Sequence, residues 1–397
     1  HLHSGSFRYS WQAFFEFSFC VEHSIIADSC INMQERTGQR YRYTGLFILA
    51  AIALLIKVVS AFPLVVENYY STGIYPLISR VQRFLFGWMP FSFGDLLYAI
   101  AVIVLVFRLV KLIKAIVQKK LNTAWLLRVG VRVMRVWLWI YILFNLLWGL
   151  NYNRAGIARQ AGIQATAYST AELDTLVAVL VQRMENNRIV SLPERQPLQH
   201  KKTLFTRAFS AYQQPGSRAV FLKYGGQSVK PSLYSYLGNY LGFTGYYNPF
   251  TGEAQVNTTV PVFVQPFTTC HEIGHQLGYA KENEANLAGF LTASKSGSAA
   301  FRYSAYFDLY LYAIRDLYLR DSSLGQLRYD QLPPGVQEDL RTLRRFNQDH
   351  VGFFEPLVRT LYAQYLRVNQ QPSGMLSYNQ VVALVLAYVR RYGMDKL

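Results

Sequence analysis

The chain has 397 residues, of which 51% are hydrophobic and 16% are charged, and its formal net charge is +17. So small a charged fraction is unusual for a soluble protein. No nucleic-acid-binding motif is recognisable, so nucleic acid is not expected as a partner. The basic excess is interpreted instead as a membrane-topology signal and a contact with anionic lipid head groups.

The amino-terminal part of the chain is predicted to enter a membrane. Residues 1–43 match neither a signal peptide nor a membrane span and stay unassigned. Three apolar stretches follow, at about 45–62, 96–113 and 134–151, and each is close to the roughly 20 residues that cross a bilayer. Residues 44–153 are therefore predicted to hold three transmembrane helices, with a trio of buried core helices as the alternative.

Basic residues beside these stretches predict their orientation. Arg36, Arg40 and Arg42 precede the first stretch, and lysines and arginines are dense between the second and third. Because positively charged flanks tend to face the cytoplasm, both regions are predicted to be cytoplasmic. The domain at 154–397 is then extracytoplasmic, and the lipid bilayer is a predicted partner.

Residues 154–397 are predicted to form one mainly helical α+β domain. Ser169 and Glu172 make a capping box that opens a helix to about Asn187. Glycine and proline in 215–266 predict turns and short strands. Further helices are predicted at about 203–213, 300–320, 335–348, 352–368 and 376–392.

The most informative motif is the run HEIGH at residues 271–275. Residues four apart on a helix lie one above the other, so His271 and His275 can present two imidazoles to one metal ion. Glu272 then stands beside the metal, where it can take a proton from water. Thr268-Thr269 precedes the motif where capping groups belong. Two surface histidines on a charged helix are the alternative.

Two carboxylates compete to be the third metal ligand, Glu282 and Glu284. Gly278 predicts the end of the first helix, and a second helix should begin at about Lys281. Asn286 follows Glu282 by one turn, where it can hydrogen-bond a ligand histidine. The sequence therefore predicts Zn²⁺ held by the two histidines and Glu282, with Glu284 as the alternative and the fourth position open for catalysis.

A peptidase also needs a substrate strand and a donor for the developing oxyanion. Such enzymes hold an extended peptide against an edge strand upstream of the metal helix. Residues 245–258 fit this role, with a turn followed by alternation from Ala254 to Thr258, although an ordinary hairpin is the alternative. Tyr303, which follows the ligand helix, is the candidate oxyanion donor.

The three cysteines, Cys20, Cys30 and Cys270, make no disulfide framework. Cys270 directly precedes His271, but adjacent helical residues point about 100° apart. It is therefore predicted to be a packed neighbour rather than a ligand.

These motifs resemble a bacterial family of uncharacterised multi-pass membrane proteins that carry a zinc-peptidase motif. The matching stretches are Glu67 to Pro76, Pro90 to Asp95, Trp148 to Arg154, Asn248 to Asn257, His271 to Asn286 and Tyr303-Ser304. The resemblance covers most of residues 45–390. It implies three spans in a bacterial cytoplasmic membrane and a gluzincin-like metal domain, but it supplies no substrate.

The sequence thus predicts a membrane α-helical part with three spans and a zincin-like metallopeptidase domain that hydrolyses a peptide or protein substrate. The alternative is a non-enzymatic membrane sensor or assembly factor whose zincin-like domain binds peptide. Intramembrane proteolysis is disfavoured, because the segment 271–291 is too polar to span.

Overall fold

A computed structural model describes residues 44–119, 122–352, 360, 364 and 378–397. The unassigned segment 1–43, with Cys20 and Cys30, lies outside the described residues. So does most of the helix predicted at 352–368.

The described chain is mostly helical, with a small sheet. In chain order the helices are α1 (Thr44–Ser60), α2 (Pro63–Phe86, π-helical over Val66–Ile74), α3 (Phe93–Val117), α4 (Thr123–Leu147), α5 (Ile157–Gln160), α6 (Thr170–Leu198), α7 (Lys201–Arg218), α8 (Ser235–Leu241), α9 (Gln265–Gln276), α10 (Glu282–Ala293), α11 (Ala299–Arg320), α12 (Ser322–Asp330), α13 (Pro334–Asp349) and α14 (Tyr378–Tyr392). The strands are β1 (Val229–Pro231), β2 (Gly245–Asn248) and β3 (Glu253–Val256), and 3₁₀ turns cover Gly149–Asn153, Val220–Leu222 and Met394–Lys396.

The chain forms two compact units. Among the described residues, one unit comprises 44–56 and 122–142, which are most of α1 and most of α4. The other comprises the remaining described residues, 57–119 and those from 143 onward. The HEIGH motif therefore shares a unit with α2 and α3.

One described helix, α3, is by itself long and apolar enough to cross a membrane, and its most apolar stretch is not buried. Helices α1 and α2 pass the same test only as a pair, with a bend of 95° between them. The stretch predicted as a third span at 134–151 is helical only to Leu147 and then turns into the 3₁₀ segment. Trp148 and Leu150 in this turn are buried. Three spans therefore remain a prediction.

Polar contacts fix the start of α3 to the sheet. The Ser92 hydroxyl accepts a hydrogen bond from the Asp95 amide at 3.0 Å, which caps the helix. The Glu253 carboxylate of β3 accepts from the amides of Phe93 and Gly94 at 3.1 and 2.6 Å. The unpaired amides and the dipole at the amino terminus of a helix favour a carboxylate there. The Glu253 carboxylate therefore stabilises the start of α3 and attaches it to the sheet.

The sheet has the order β1-β3-β2, with β1 parallel and β2 antiparallel to β3. The segment 245–258, predicted to supply an edge strand, contains both β2 and β3. Its alternating part from Ala254 corresponds to β3, which is the central strand, because β1 pairs with its other side and all four of its residues are buried. The edge strand of this hairpin is β2, in the first part of the same segment.

The capping box at Ser169 and Glu172 is confirmed. The helix that it opens does not end near Asn187, however, but continues through two prolines to Leu198. Glu194 and Arg195 hold this end by bonds to the start of α11 and to α13. Tertiary contacts thus outweigh the cost of proline inside a helix.

The core of the larger unit surrounds α11, which packs against α6, α9 and α10. Its largest fully buried side chains are aromatic and include Tyr212, Phe301, Tyr303 and Phe307. Helix α10 is also buried over most of its length. The HEIGH motif therefore lies among buried helices rather than on the surface.

Candidate metal centre

The HEIGH run lies in the second half of α9. This helix begins at Gln265 with Pro266 in its first turn. Thr268 and Thr269 were predicted to cap it, which is wrong, since both lie inside the helix and donate to carbonyls four residues back. Proline lacks an amide hydrogen and is well suited to a first helical turn, which explains the earlier start.

Two glycines let α9 and α10 pack backbone against backbone. A Cβ on Gly274 would lie 3.1 Å from the carbonyl oxygen of Ala285, and one on Gly289 would lie 3.0 Å from the amide nitrogen of His271. Both distances are too short for a comfortable contact, so larger residues would push the helices apart. This close approach brings Glu282, at the start of α10, back to the histidines.

The structure gathers the donor atoms of His271, His275 and Glu282, which all lie within 4.8 Å of one another. The Oε2 atom of Glu282 is 3.2 Å from Nε2 of His271 and 3.8 Å from Nε2 of His275. Donors bound tetrahedrally to zinc at about 2.1 Å are about 3.4 Å apart. The donor set and its spacing therefore fit a zinc ion.

Each histidine ring is oriented through its other nitrogen. Nδ1 of His271 lies 2.8 Å from Oδ1 of Asn286, and Nδ1 of His275 lies 2.7 Å from the carbonyl oxygen of Tyr279. Both partners are acceptors, so a neutral ring carries its proton on Nδ1 and leaves Nε2 free to bind metal. Outer partners of this kind fix the tautomer and orientation of metal-binding histidines.

Glu284, the alternative third ligand, lies elsewhere. It is buried, with Oε1 4.0 Å from Nζ of Lys281. It packs against Gly156, where there is no room for a Cβ. The structure brings Glu282 to the histidines and leaves Glu284 on a different side of α10.

Glu272 is buried beside the edge strand. A Cβ on Gly245, the first residue of β2, would lie 2.5 Å from Oε1 of Glu272, so only glycine fits there. The Oε2 atom is buried without a hydrogen-bond partner among the described residues. Burial raises the pKa of Glu272 to about 8, with His271 acting in the opposite direction. A buried oxygen with an open lone pair is suited to accept a proton.

The electrostatics of the site favour a positive charge between the rings. Burial by itself lowers the pKa of His271, but the hydrogen bond and charge of Glu282 outweigh it and raise that pKa to about 9. Burial lowers the pKa of His275 to about 4. The Glu282 carboxylate thus favours a positive charge beside His271, which is either a proton on the ring or a metal ion that displaces that proton, while the ring of His275 stays neutral.

The structure does not bring Tyr303 to the histidines. Its hydroxyl donates to Oδ2 of Asp339 at 2.6 Å, and its ring lies against the guanidinium of Arg195. The hydroxyl proton is therefore bonded to a carboxylate, which leaves it poorly placed to stabilise an oxyanion.

Asp308 and Tyr312 were missed by the sequence analysis. Asp308 acts on His271 through its charge, and burial raises the pKa of Asp308 to about 7, while Tyr312 hydrogen-bonds it. Its Oδ2 atom is buried without a hydrogen-bond partner among the described residues. The sequence shows that Asp308 and Tyr312 are four residues apart on one helix. It does not show that this face of α11 lies beside α9.

Three side chains from upstream segments hold the end of α9. The hydroxyls of Tyr75 and Ser79 each donate to the Gln276 carbonyl at 3.0 Å, and Nε1 of Trp148 donates to the His275 carbonyl at 3.1 Å. The last carbonyls of a helix lack partners within it, so these donors stabilise the turn that follows. The candidate site is thus built partly by residues near the predicted spans.

The family described as "Protein of unknown function (DUF3810)" matches residues 70–386. No curated protein and no solved structure matches the chain significantly.

Proposed function

The chain belongs to this family of proteins of unknown function, and we propose that it is a membrane-anchored zinc metallopeptidase. The observation that carries the proposal is the convergence of His271, His275 and Glu282 with their donor atoms within 4.8 Å. Two imidazoles and one carboxylate form a set that leaves one position open, as in catalytic zinc sites. The zincin-like fold of the domain is part of the same proposal.

Glu272 is proposed as the general base. A zinc ion held by His271, His275 and Glu282 would supply a Lewis acid that polarises the scissile carbonyl and lowers the pKa of water to about 7. Glu272 accepts the proton of the attacking water and passes it to the leaving amine as the peptide C–N bond breaks. Its unpartnered Oε2 supports this role.

The substrate is proposed to be a peptide held in extended form along β2. This strand is the edge of the sheet on the side of the hairpin, and its Gly245 touches Glu272. A peptide added to a sheet edge gains main-chain hydrogen bonds. An edge strand in contact with the proposed base would bring the scissile bond within reach of it.

The membrane arrangement is also proposed. We place three spans at about 45–62, 96–113 and 134–151 in a bacterial cytoplasmic membrane, with the domain from residue 154 outside the cytoplasm. The apolar, unburied helix α3 and the basic residues between the second and third stretches support this arrangement.

The test uses the full chain purified in detergent, with zinc measured by mass spectrometry and turnover measured on a peptide library. We expect one zinc per chain and cleavage by the unmodified protein. Glu272→Gln should keep its zinc and lose about 10²–10⁴-fold in rate. Glu282→Gln should lose the zinc, whereas the matched variant Glu284→Gln should keep it.

Cleavage by Glu272→Gln at the unmodified rate would remove Glu272 from this role. A chain without zinc would overturn the proposal as a whole. Zinc without turnover on any peptide would favour the non-enzymatic, peptide-binding alternative.

A further inference from the structure

A large cavity lies apart from the proposed metal ligands. Its volume is about 1290 Å³, and none of the three metal-binding side chains nor Glu272 is among the described residues that line it. Its walls come from α2, the end of α7, the turn after α9 and the carboxyl-terminal elements. We call it the basic cavity.

The charge of the basic cavity is strongly one-sided. Seven lysine and arginine side chains line it, and the one acidic side chain among its described lining residues is Asp395. Two of the cations have acidic partners, since Arg154 pairs with Glu67 at 2.7 Å and Lys396 with Asp395 at 2.8 Å. The others are Arg80, Arg83, Arg218, Lys223 and Lys295.

These five cations are of two kinds. The side chains of Arg80, Arg218 and Lys223 are exposed and form no hydrogen bond or ion pair with any residue in the described part of the chain. Arg83 and Lys295 are held in place by neutral hydroxyls, with Arg83 donating to Ser79 and Lys295 to Tyr388. Like charges gathered around one cavity repel each other, so an anion among them would be strongly favoured.

We propose that the basic cavity binds a phosphate-bearing anion, which is either the head group of an anionic phospholipid or a soluble phosphate ester. A guanidinium presents a planar fork of donors that matches phosphate oxygens in pairs, and lysine adds compact positive charge. The cavity exceeds the roughly 300–1,000 Å³ of ordinary small-molecule sites, so a head group or a sizeable ester fits.

Helix α2 carries both basic and apolar side chains beside the basic cavity. Its cavity side carries Arg80 and Arg83, while Leu77, Val81 and Phe84 on the same helix are exposed and apolar. Exposed apolar residues next to basic ones suit a lipid surface, where anionic head groups attract lysine and arginine. The cavity is also reached by exposed side chains from α7, which suits a soluble ligand.

The test measures binding rather than activity, using the full chain in neutral detergent. Calorimetric titration with inorganic pyrophosphate probes the soluble source. Native mass spectrometry with phosphatidylglycerol, against phosphatidylcholine, probes the lipid source. The variant Arg218→Gln/Lys223→Gln removes two cations of the cavity. Lys201→Gln/Lys202→Gln removes two exposed cations from the other end of α7, outside the cavity, and is the matched control.

We expect one probe or both to bind the unmodified chain, and the affinity to fall at least about tenfold in the cavity variant while the control stays close to the unmodified value. Binding of phosphatidylglycerol alone would identify a lipid head group, and binding of pyrophosphate alone a soluble ester. Failure of both probes to bind, or equal losses in the two variants, would overturn the proposal. The binding of either probe is read independently of the proposed metal site, because zinc content is measured separately in every variant.

Discussion

The side-chain oxygen of Asn286 lies 2.8 Å from Nδ1 of His271, so a residue of α10 orients a histidine of α9. The same helix contributes Glu282, whose carboxylate is 3.2 Å from Nε2 of that ring. Both ring nitrogens of His271 thus lie close to side-chain oxygens from one neighbouring helix, α10. The geometry of the proposed zinc site therefore depends on how closely these two helices pack.

Asn286→Ala should weaken zinc binding by about 10–100-fold, because the ring of His271 loses the partner that fixes its tautomer. The measurement is a competitive titration of zinc against a chelator. Asn283→Ala is the control, since Asn283 lies in the same helix but bonds to Gln380 instead. Equal zinc affinity in the two variants would show that the Asn286 contact does not support the metal.

Gly289→Ala should destabilise the protein by about 1–3 kcal/mol, because the added methyl group meets the α9 backbone and the packed helices must shift. Zinc affinity should fall with it, since the shift moves Glu282 away from the histidines. Thermal unfolding followed by circular dichroism and zinc content are the two readouts. Gly297→Ala, where a Cβ meets no atom within 4 Å, should match the unmodified protein. An unchanged melting temperature in Gly289→Ala would show that α9 and α10 can accommodate the added methyl group without moving apart.

Tyr303→Phe should lower stability and leave peptide turnover unchanged. The change removes a buried hydrogen bond to Asp339 and should cost about 1–3 kcal/mol. The readouts are the free energy of unfolding and the rate on the best library peptide. A loss of rate without a loss of stability would instead support the oxyanion role predicted from the sequence.

Asp339 should make stability depend on pH. Burial acts to raise the pKa of its carboxyl, but hydrogen bonds from Arg195 and Tyr303 and the charge of Arg195 outweigh it, so the pKa lies below its usual value. A carboxyl with a lowered pKa contributes its full stability above the unfolded-state pKa of about 3.9, and that stability is lost as the pH falls through the folded-state pKa.

Asp339→Asn should therefore cost about 3–5 kcal/mol near neutral pH, as expected when one partner of a buried pair is removed, and the difference from the unmodified protein should shrink at acid pH. Urea unfolding at several pH values measures it. Glu338→Gln is the control, because that side chain is 68% exposed and a surface pair contributes about 0–1 kcal/mol. A difference that did not change with pH would show that the charge of Asp339 is not what stabilises the fold.

Local patterns in the sequence predicted several elements well. The helix expected at 300–320 is α11, Ala299–Arg320, and the one at 335–348 is α13, Pro334–Asp349. The glycine at 278 ends the metal helix with a positive φ of 86°, as its position indicated. These features depend on residues within one or two turns of each other, which a single sequence shows directly.

Contacts between distant segments were not predictable in this way. The alternating pattern of Ala254–Thr258 is compatible with an edge or a central strand, and the pairing of β1 with β3 decided between them. Tyr303 follows the ligand helix in the sequence, but packing turns its hydroxyl toward Asp339. The donors that hold the end of α9, such as Tyr75 and Trp148, precede it by more than a hundred residues.

By itself the sequence determined that the two imidazoles of His271 and His275 share one helical face, because the pitch of an α-helix places side chains four residues apart one above the other. Only the tertiary structure decided that Glu282 rather than Glu284 meets those imidazoles, and that cations from α2, α7 and the segment after α10 line one cavity. The physical reason is that helical geometry is local, whereas the meeting of separate helices depends on how their side chains pack, and here on two glycines that allow α9 and α10 to touch.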